Sequence, residues 1–457
     1  MKKFLFSLIV VCTAFCGFAQ NEDSLFIRRM ADHILQNGKA YDDLRVLTKT
    51  IGPRLAGSPG MVKSEAWGLK TVQEAGADNA WLQQCMVPHW ERGGKDAATA
   101  SYKNKGKVAS KKLDVLALGN SMGSMKPLKG DVIEIKNFTE LEAKKDQLKG
   151  KIVFYNYPFN NTFVSTFNAY REAGAYRSQG PSRAARYGAI GAIVRSMSNS
   201  TDNHPHTGGT AYNDSFPKIP AVAVGLQDAD WLSETLKGQL VSVTLHTHGK
   251  FFPDAIGHNV IGEIKGSEFP NEYITVGGHL DSWDAAEGAH DDGAGCVQTI
   301  EILRTFKALG YKPKRTIRFV LFANEENGLR GGNKYADEAK AKGEKHIFAL
   351  ESDAGGFTPR GFGISANDAQ FAKASSWKNL LSPYGACEIN RGGGGADIGP
   401  LARTQGTPVA GLVPDSQRYF DLHHARNDVF EAVNKRELLL GAVNMAALIY
   451  LVDKYGL

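Results

Sequence analysis

The residues of this chain best suited to chemistry are His279 and Asp281 in the run Gly277-Gly278-His279-Leu280-Asp281-Ser282-Trp283, followed by Asp291-Asp292-Gly293. An imidazole with several carboxylates is the ligand set that a hydrolytic zinc site uses. An ordinary surface turn rich in Asp and His has the same composition, so this stretch alone admits both readings. Similar groups recur further on, in Asn324-Glu325-Glu326-Asn327-Gly328, in Glu351-Ser352-Asp353-Ala354-Gly355-Gly356, and in Phe420-Asp421-Leu422-His423-His424-Ala425-Arg426-Asn427-Asp428. Each is weak alone, because acids at strand ends are common; their coincidence is the stronger signal.

The elements that must position these groups are legible in the residue pattern. Tyr273-Ile274-Thr275-Val276 is aromatic and β-branched, which predicts a buried strand ended by the two glycines, with His279 and Asp281 on its exit. Strands are predicted at 259–264, 273–278, 316–323, 346–352 and 408–413, and helices at 293–309, 329–342, 367–380 and 434–453. This alternation predicts an α/β fold: a three-layer, mostly parallel sheet with helices on both faces and chemistry at the carboxyl ends of its strands. Upstream, Leu25-Phe26, Met30 and Ile34-Leu35 have helical spacing, Thr50 to Gly60 is a Gly/Pro-punctuated loop, and Val62 to Ala75 reads as a helix. Val87 to Trp90 reads as a strand leading into a polar stretch. The region from about Val115 to Gly249 has a different character, with short strands expected at Lys151–Tyr155, Gly188–Val194, Ile219–Val224 and Leu240–Leu245 and a helix at Ser182–Tyr187. His204 and His206 lie in a polar segment there without nearby acids, a setting that usually means a structural or exposed role.

At 457 residues the chain is too long for one core, so two domains are expected. Lys2-Lys3, the apolar run Phe4 to Phe18 and the small-x-small pattern Gly17-Phe18-Ala19 predict a secretory signal peptide over 1–19. Its removal would lower the formal charge from +6 to +4 by loss of two lysines, and would leave Cys85, Cys296 and Cys387 of the five cysteines. Three thiols do not make a disulfide scaffold, and no CxxC pair is present to hold zinc. Lys and Arg are spread along the chain, which argues against a nucleic-acid partner. No later segment reads as a membrane span.

The order His-x-Asp, Asp-Asp-Gly, Glu-Glu, Asp and His resembles the secreted two-zinc aminopeptidase-type metallopeptidase family. Ile51-Gly52-Pro53-Arg54-Leu55, His204-Pro205-His206-Thr207-Gly208, Lys218-Ile219-Pro220, Gly278-His279-Leu280-Asp281-Ser282-Trp283 and His423-His424 carry the resemblance, which spans nearly all of the chain after the signal. It implies a peptidase domain at 20–115 and 251–457, interrupted at 116–250 by a β-rich protease-associated domain. It implies two zinc ions, one held by His279 and Asp353 and the other by Glu326 and His424, with Asp291 bridging. His424 is preferred to His423 because Asp428 follows it at the family's spacing. Glu325 would be the general base, and Asp281 would orient His279 through a hydrogen bond. Asp397 and the Gly392–Gly395 loop are candidates for lining the site; a loop-capping acid is the equal alternative for Asp397. The implied substrates are short unblocked peptides, cleaved by a dipeptidase, aminopeptidase or carboxypeptidase in the periplasm or outside the cell. Stable membrane insertion is not expected, and a homodimer is compatible with the resemblance. A one-zinc glutaminyl cyclase would need fewer ligands, and a non-catalytic binding protein on this fold would have substituted ones.

Overall fold

The computed structural model describes residues 22–457; the expected signal peptide lies outside the described residues. Two eight-stranded sheets organise the chain. The first runs in the order Asn79–Glu91, Lys250–Ile264, Arg315–Phe322, Phe269–His279, Lys345–Glu351, Val409–Pro414, Pro359–Ser365, Glu388–Arg391. Its four central strands, Arg315–Phe322 through Val409–Pro414, are mutually parallel. The flanks are mixed, because Lys250–Ile264 and Pro359–Ser365 each join antiparallel. The expected mostly parallel sheet is therefore its centre, and the whole is a mixed sheet.

Burial explains why the centre was easy to read and the edges were not. Arg315–Phe322 is buried at every position after its first residue. Ile317, Phe319 and Leu321 enter the core on one face, while Val320 and Phe322 enter that on the other. A strand covered on both faces becomes a continuous apolar run. The first face is covered by helices Ala294–Ala308, Lys435–Tyr455 and Pro59–Glu74, and the second by Arg330–Ala341 and Gly399–Gln405. By length and composition Lys435–Tyr455 could cross a bilayer, contrary to the expectation from sequence. In the fold its apolar face instead fills the larger core, with Leu438, Val443, Leu448 and Val452 fully enclosed.

The second sheet has the order Lys107–Leu113, Ala97–Asn104, Ser242–His246, Leu128–Ile135, Ile152–Tyr155, Gly191–Arg195, Ala221–Val224, Val115–Ala117. It is also mixed, and helices lie against it at Gly180–Arg186 on one face and Leu226–Gly238 on the other. The hairpin Ala97–Leu113 pairs with Ser242–His246 and so belongs to this sheet. The second sheet therefore takes in strands ahead of residue 116, the border that the resemblance implied for an insert. The polar, lysine-rich faces of that hairpin hide its strand character, since its outward side chains carry no hydrophobic alternation.

Asp453, near the end of the last helix, ties the entry of the central strand in place. Its buried carboxylate accepts from the backbone N–H of Lys314 at 2.9 Å, from that of Arg315 at 2.8 Å and from the Tyr311 hydroxyl at 2.5 Å. Asp453→Ala is expected to leave these donors unpaired and to lower stability by about 1–3 kcal/mol in urea unfolding.

Candidate metal centre

The parallel strands deliver their chemistry at their carboxyl ends. His279 is the last residue of Phe269–His279, Glu325 and Glu326 follow Arg315–Phe322, and Asp353 follows Lys345–Glu351. Asp291 and Asp292 precede helix Ala294–Ala308, and the peptide that joins them is cis. Asp292 pins two backbones, accepting from His279 N at 3.0 Å and Gly295 N at 2.8 Å. Gly278 makes room for it: a Cβ there would lie 2.4 Å from Asp292 Oδ2.

At the centre, the Asp291 carboxylate faces a histidine at each oxygen. Oδ1 is 3.1 Å from His279 Nε2, and Oδ2 is 3.1 Å from His424 Nε2. His279 Nε2 also lies 3.4 Å from Asp353 Oδ1, and His424 Nε2 lies 3.0 Å from Glu326 Oε2. The geometry thus pairs His279 with Asp353 and His424 with Glu326, around Asp291. His423 stacks on His424 with ring centroids 3.6 Å apart and reaches only Asp291, at 3.5 Å. Asp428 does not approach the rings; its carboxylate accepts the backbone N–H groups of His290 and Asp291, at 2.8 and 3.1 Å, and so holds the segment that carries Asp291.

The contact expected between the Asp281 carboxylate and His279 is made by a different atom. His279 Nδ1 donates to the Asp281 backbone carbonyl at 2.9 Å, while the nearest carboxylate oxygen is 3.8 Å away, beyond hydrogen-bond range. That carboxylate accepts instead from Glu325 N at 2.9 Å and Glu326 N at 3.3 Å, which fixes the turn carrying both acids. The carbonyl still sets the tautomer, leaving Nε2 to face Asp291 and Asp353.

Arg54, from the Gly/Pro-punctuated loop, has a structural role that its sequence setting did not announce. Its buried guanidinium donates to the carbonyls of Leu280 at 2.5 Å, Glu287 at 2.6 Å and Gly288 at 2.8 Å. It therefore grips both ends of the loop between His279 and Asp291. The one available signal was its place in Ile51-Gly52-Pro53-Arg54-Leu55, a motif without a chemical partner nearby in sequence.

A cavity of about 210 Å³ opens on Asp291, Glu325, Glu326, Asp353 and His424, and Tyr170, Arg177 and Tyr419 complete its wall. A second, of about 450 Å³, adjoins it at Asp353 and Phe167 and is lined by Gly392–Gly395. Asp397 lines neither cavity; it is fully buried behind Glu351, whose carboxylate accepts from Ile398 N at 2.9 Å.

The donor set fits a cation. Burial pushes the Glu326 carboxyl up to about 7, with the Asp291 charge acting in the same direction, and it drives Glu325 well up as well. Burial opposes ionisation of Asp291 too, yet the hydrogen bond from His279 and the proximity of His424 hold it well below the usual carboxylate range. Both rings are correspondingly pushed well above the ordinary histidine value, against burial, chiefly by Asp353 for His279 and by Glu326 for His424. Both shifts favour positive charge at the places between the acids. Asp291 Oδ2 makes no aligned hydrogen bond despite its closeness to His424. Imidazole and carboxylate donors converge in two overlapping clusters, His279–Asp291–Asp353 and Asp291–His423–His424. The second cluster contains His423 in place of Glu326, but Glu326 contacts His424 more closely than His423 contacts Asp291.

Residues 259–449 match the sequence model of Peptidase family M28. Carboxypeptidase Q of Mus musculus is 33% identical over 91% of this chain and 85% of that protein. The chain belongs to peptidase family M28. Carboxypeptidase Q of Homo sapiens is similar to the same extent, 33% over 91% of this chain and 85% of its own length. A solved peptidase M28 precursor from Shewanella amazonensis superposes with a TM-score of 0.88 at 31% identity, covering 95% of this chain and 97% of that one. The fold also extends to BSAP, a zinc aminopeptidase from Bacillus subtilis, with a TM-score of 0.65 at 21% identity over 92% of this chain and 94% of that one. As an M28 peptidase the chain is an enzyme that acts on peptides.

Two outcomes follow for this M28 peptidase. Arg54→Lys keeps the charge but loses the planar fork that serves three carbonyls. It is expected to lower kcat/KM for peptide hydrolysis by about tenfold or more, each tenfold being about 1.4 kcal/mol. In the metal-free chain, Glu326 titrates near 7 folded against an ordinary 4.5, so the folded state binds more protons between these values. Stability then falls as pH rises through that window, and the raised histidines extend the fall above it. Thermal unfolding of chelated protein should therefore weaken from about pH 5 to about pH 8, with the gap to metal-loaded protein widening. A chelated chain that gains stability over that range contradicts the charge arrangement.

Proposed function

We propose that this M28 peptidase is a two-zinc exopeptidase that cleaves short, unblocked peptides. One observation carries the reading: each oxygen of Asp291 faces a different histidine, and each histidine has its own second carboxylate. His279 and Asp353 would hold one ion, His424 and Glu326 the other, and Asp291 both. Zinc suits mixed imidazole and carboxylate donors, and it is the metal named for the B. subtilis aminopeptidase of the same fold. When bound, the ions supply Lewis acidity toward the scissile carbonyl and acidify water.

The chain's own residues do the rest. Glu325 lies beside Glu326 on the cavity wall and belongs to neither ligand pairing, so its carboxylate remains available as a general base. It takes a proton from the attacking water and returns it to the leaving amine. Asp281 acts on this step by holding the backbone of the Glu325–Glu326 turn. The modest size of the cavity at the acids favours short substrates, and a dipeptidase, aminopeptidase or carboxypeptidase preference is open to assay.

The proposal extends to the rest of the chain. Residues 20–96 and 250–457 would form the peptidase unit, and the second sheet, beginning with the Ala97–Leu113 hairpin, would be the protease-associated insert. The leader at 1–19 would direct export to the periplasm or the exterior.

The test is metal content together with hydrolysis of a dipeptide panel. Wild type and Glu325→Gln should each hold about two zinc per chain, with kcat in the variant reduced by roughly 10²–10⁴. One zinc per chain with cyclisation of N-terminal glutamine would replace this reading with a cyclase, and undiminished turnover in Glu325→Gln would remove Glu325 as the base.

A further inference from the structure

The second sheet reaches into the metal centre through the segment His204–Gly209, which lies between its strands Gly191–Arg195 and Ala221–Val224. His206 Nδ1–H donates to the His423 carbonyl at 2.7 Å, and Thr207 N–H donates to the His424 carbonyl at 2.9 Å. Both carbonyls of the histidine pair are thereby taken by the insert. The pair needs holding, because His424 sits at φ +60°, a left-handed conformation that non-glycine residues adopt only when neighbours enforce it.

The same segment meets the ring. His424 turns Nε2 toward Asp291 and Glu326, and its Nδ1 lies 3.3 Å from the Thr207 carbonyl oxygen. A carbonyl accepts only, while Arg177 Nη1, which only donates, lies slightly farther from Nδ1, at 3.4 Å; the nearer carbonyl favours the proton on Nδ1, which leaves Nε2 to coordinate. Arg177 braces that carbonyl, donating from Nη1 at 3.1 Å, while its Nη2 meets the Tyr170 hydroxyl at 2.5 Å. The guanidinium fits because residue 208 is glycine: a Cβ there would lie 2.3 Å from Arg177 Cζ. The segment is itself anchored to the second sheet, by His206 N to Ser196 Oγ at 2.9 Å and Thr207 Oγ1 to the Ala117 carbonyl at 2.8 Å.

We propose that His206, the Thr207 carbonyl and Arg177 form a positioning device for His424, so that the second metal position is completed by the inserted sheet. The insert is then part of the metal site rather than a separate recruiting module. This rests on the reading of His424 as a ligand.

The test is zinc titration of the stripped full-length chain against a competing chelator. In His206→Ala and in Arg177→Met, one zinc equivalent should weaken by about 10–100-fold while the other keeps its affinity. His206→Asn, whose amide can donate to the His423 carbonyl from the Nδ1 position, should recover most of that loss. Thermal unfolding of the chelated variants separates this from misfolding. Unchanged affinity for both equivalents in His206→Ala and Arg177→Met overturns the proposal, as does equal weakening of both equivalents without rescue by Asn. A wild type that binds a single zinc defeats the two-zinc reading; the positioning proposal then stands if that ion is weakened and rescued in the same variants, and falls if it is not.

Discussion

The structure depends on one constraint: a buried carboxylate, Asp291, must be held between two imidazoles without collapsing onto either. Its oxygens lie at the same 3.1 Å separation from His279 and His424, and acids crowd around both rings. A cluster of buried carboxylates cannot remain ionised without positive charge in reach. Among the described residues lining the cavity, Arg177 is the only permanent cation, and its guanidinium meets Thr207, Tyr170 and the outer nitrogen of His424 rather than the acids. The protein thus builds a concentrated negative site and leaves its neutralisation to protons or to metal.

Much of the surrounding structure can be understood as holding that arrangement against its own repulsion. Asp428 grips the backbone of Asp291, Asp292 grips that of His279, and Asp281 grips the turn of Glu325 and Glu326. In each case an acid that sequence alone would offer as a ligand spends its lone pairs on backbone N–H groups. Arg54 does the converse, satisfying three carbonyls of the loop between the first two site residues. Such contacts cost side-chain entropy, but they remove the freedom by which the site could relax, and preorganisation of this kind is what a catalytic centre needs.

The centre also lies where the two sheets meet. The loops of the parallel strands form its floor, and helix Thr166–Ser178, between strands of the second sheet, brings Phe167, Tyr170 and Arg177 to its wall. Trp283 packs into the same joint: a Cβ on Gly119, just past the strand Val115–Ala117, would lie 1.8 Å from its ring. The tryptophan N–H of the main chain reaches Glu326 at 3.2 Å, so the packing of the sheets is coupled to one of the site acids. A shift of one sheet against the other would change the cavity and the histidine loop together.

The sequence by itself determined the central parallel strands, the helices that cover them apart from Gly399–Gln405, and the acids and histidines gathered at their ends. Those strands are enclosed on both faces, so burial writes itself into them as uninterrupted apolar runs; Gly277 and Gly278, expected to end their strand, instead pair within it, and the strand runs on to His279. The family motifs added which of these polar residues belong together. Only the tertiary structure decided the rest. The long ribbon of Asn79–Glu91 and Lys250–Ile264 and the hairpin Ala97–Leu113 carry mixed polar patterns, because strands at and next to a sheet's edge keep a wet face and their pairing is set by distant partners. Arg54, His206 and Arg177 act through backbone carbonyls remote in sequence, and a carbonyl has no residue-type signature to read. For the same reason the roles of Asp281 and Asp428 could be told from ligation only by where their oxygens point, which is a property of the folded chain.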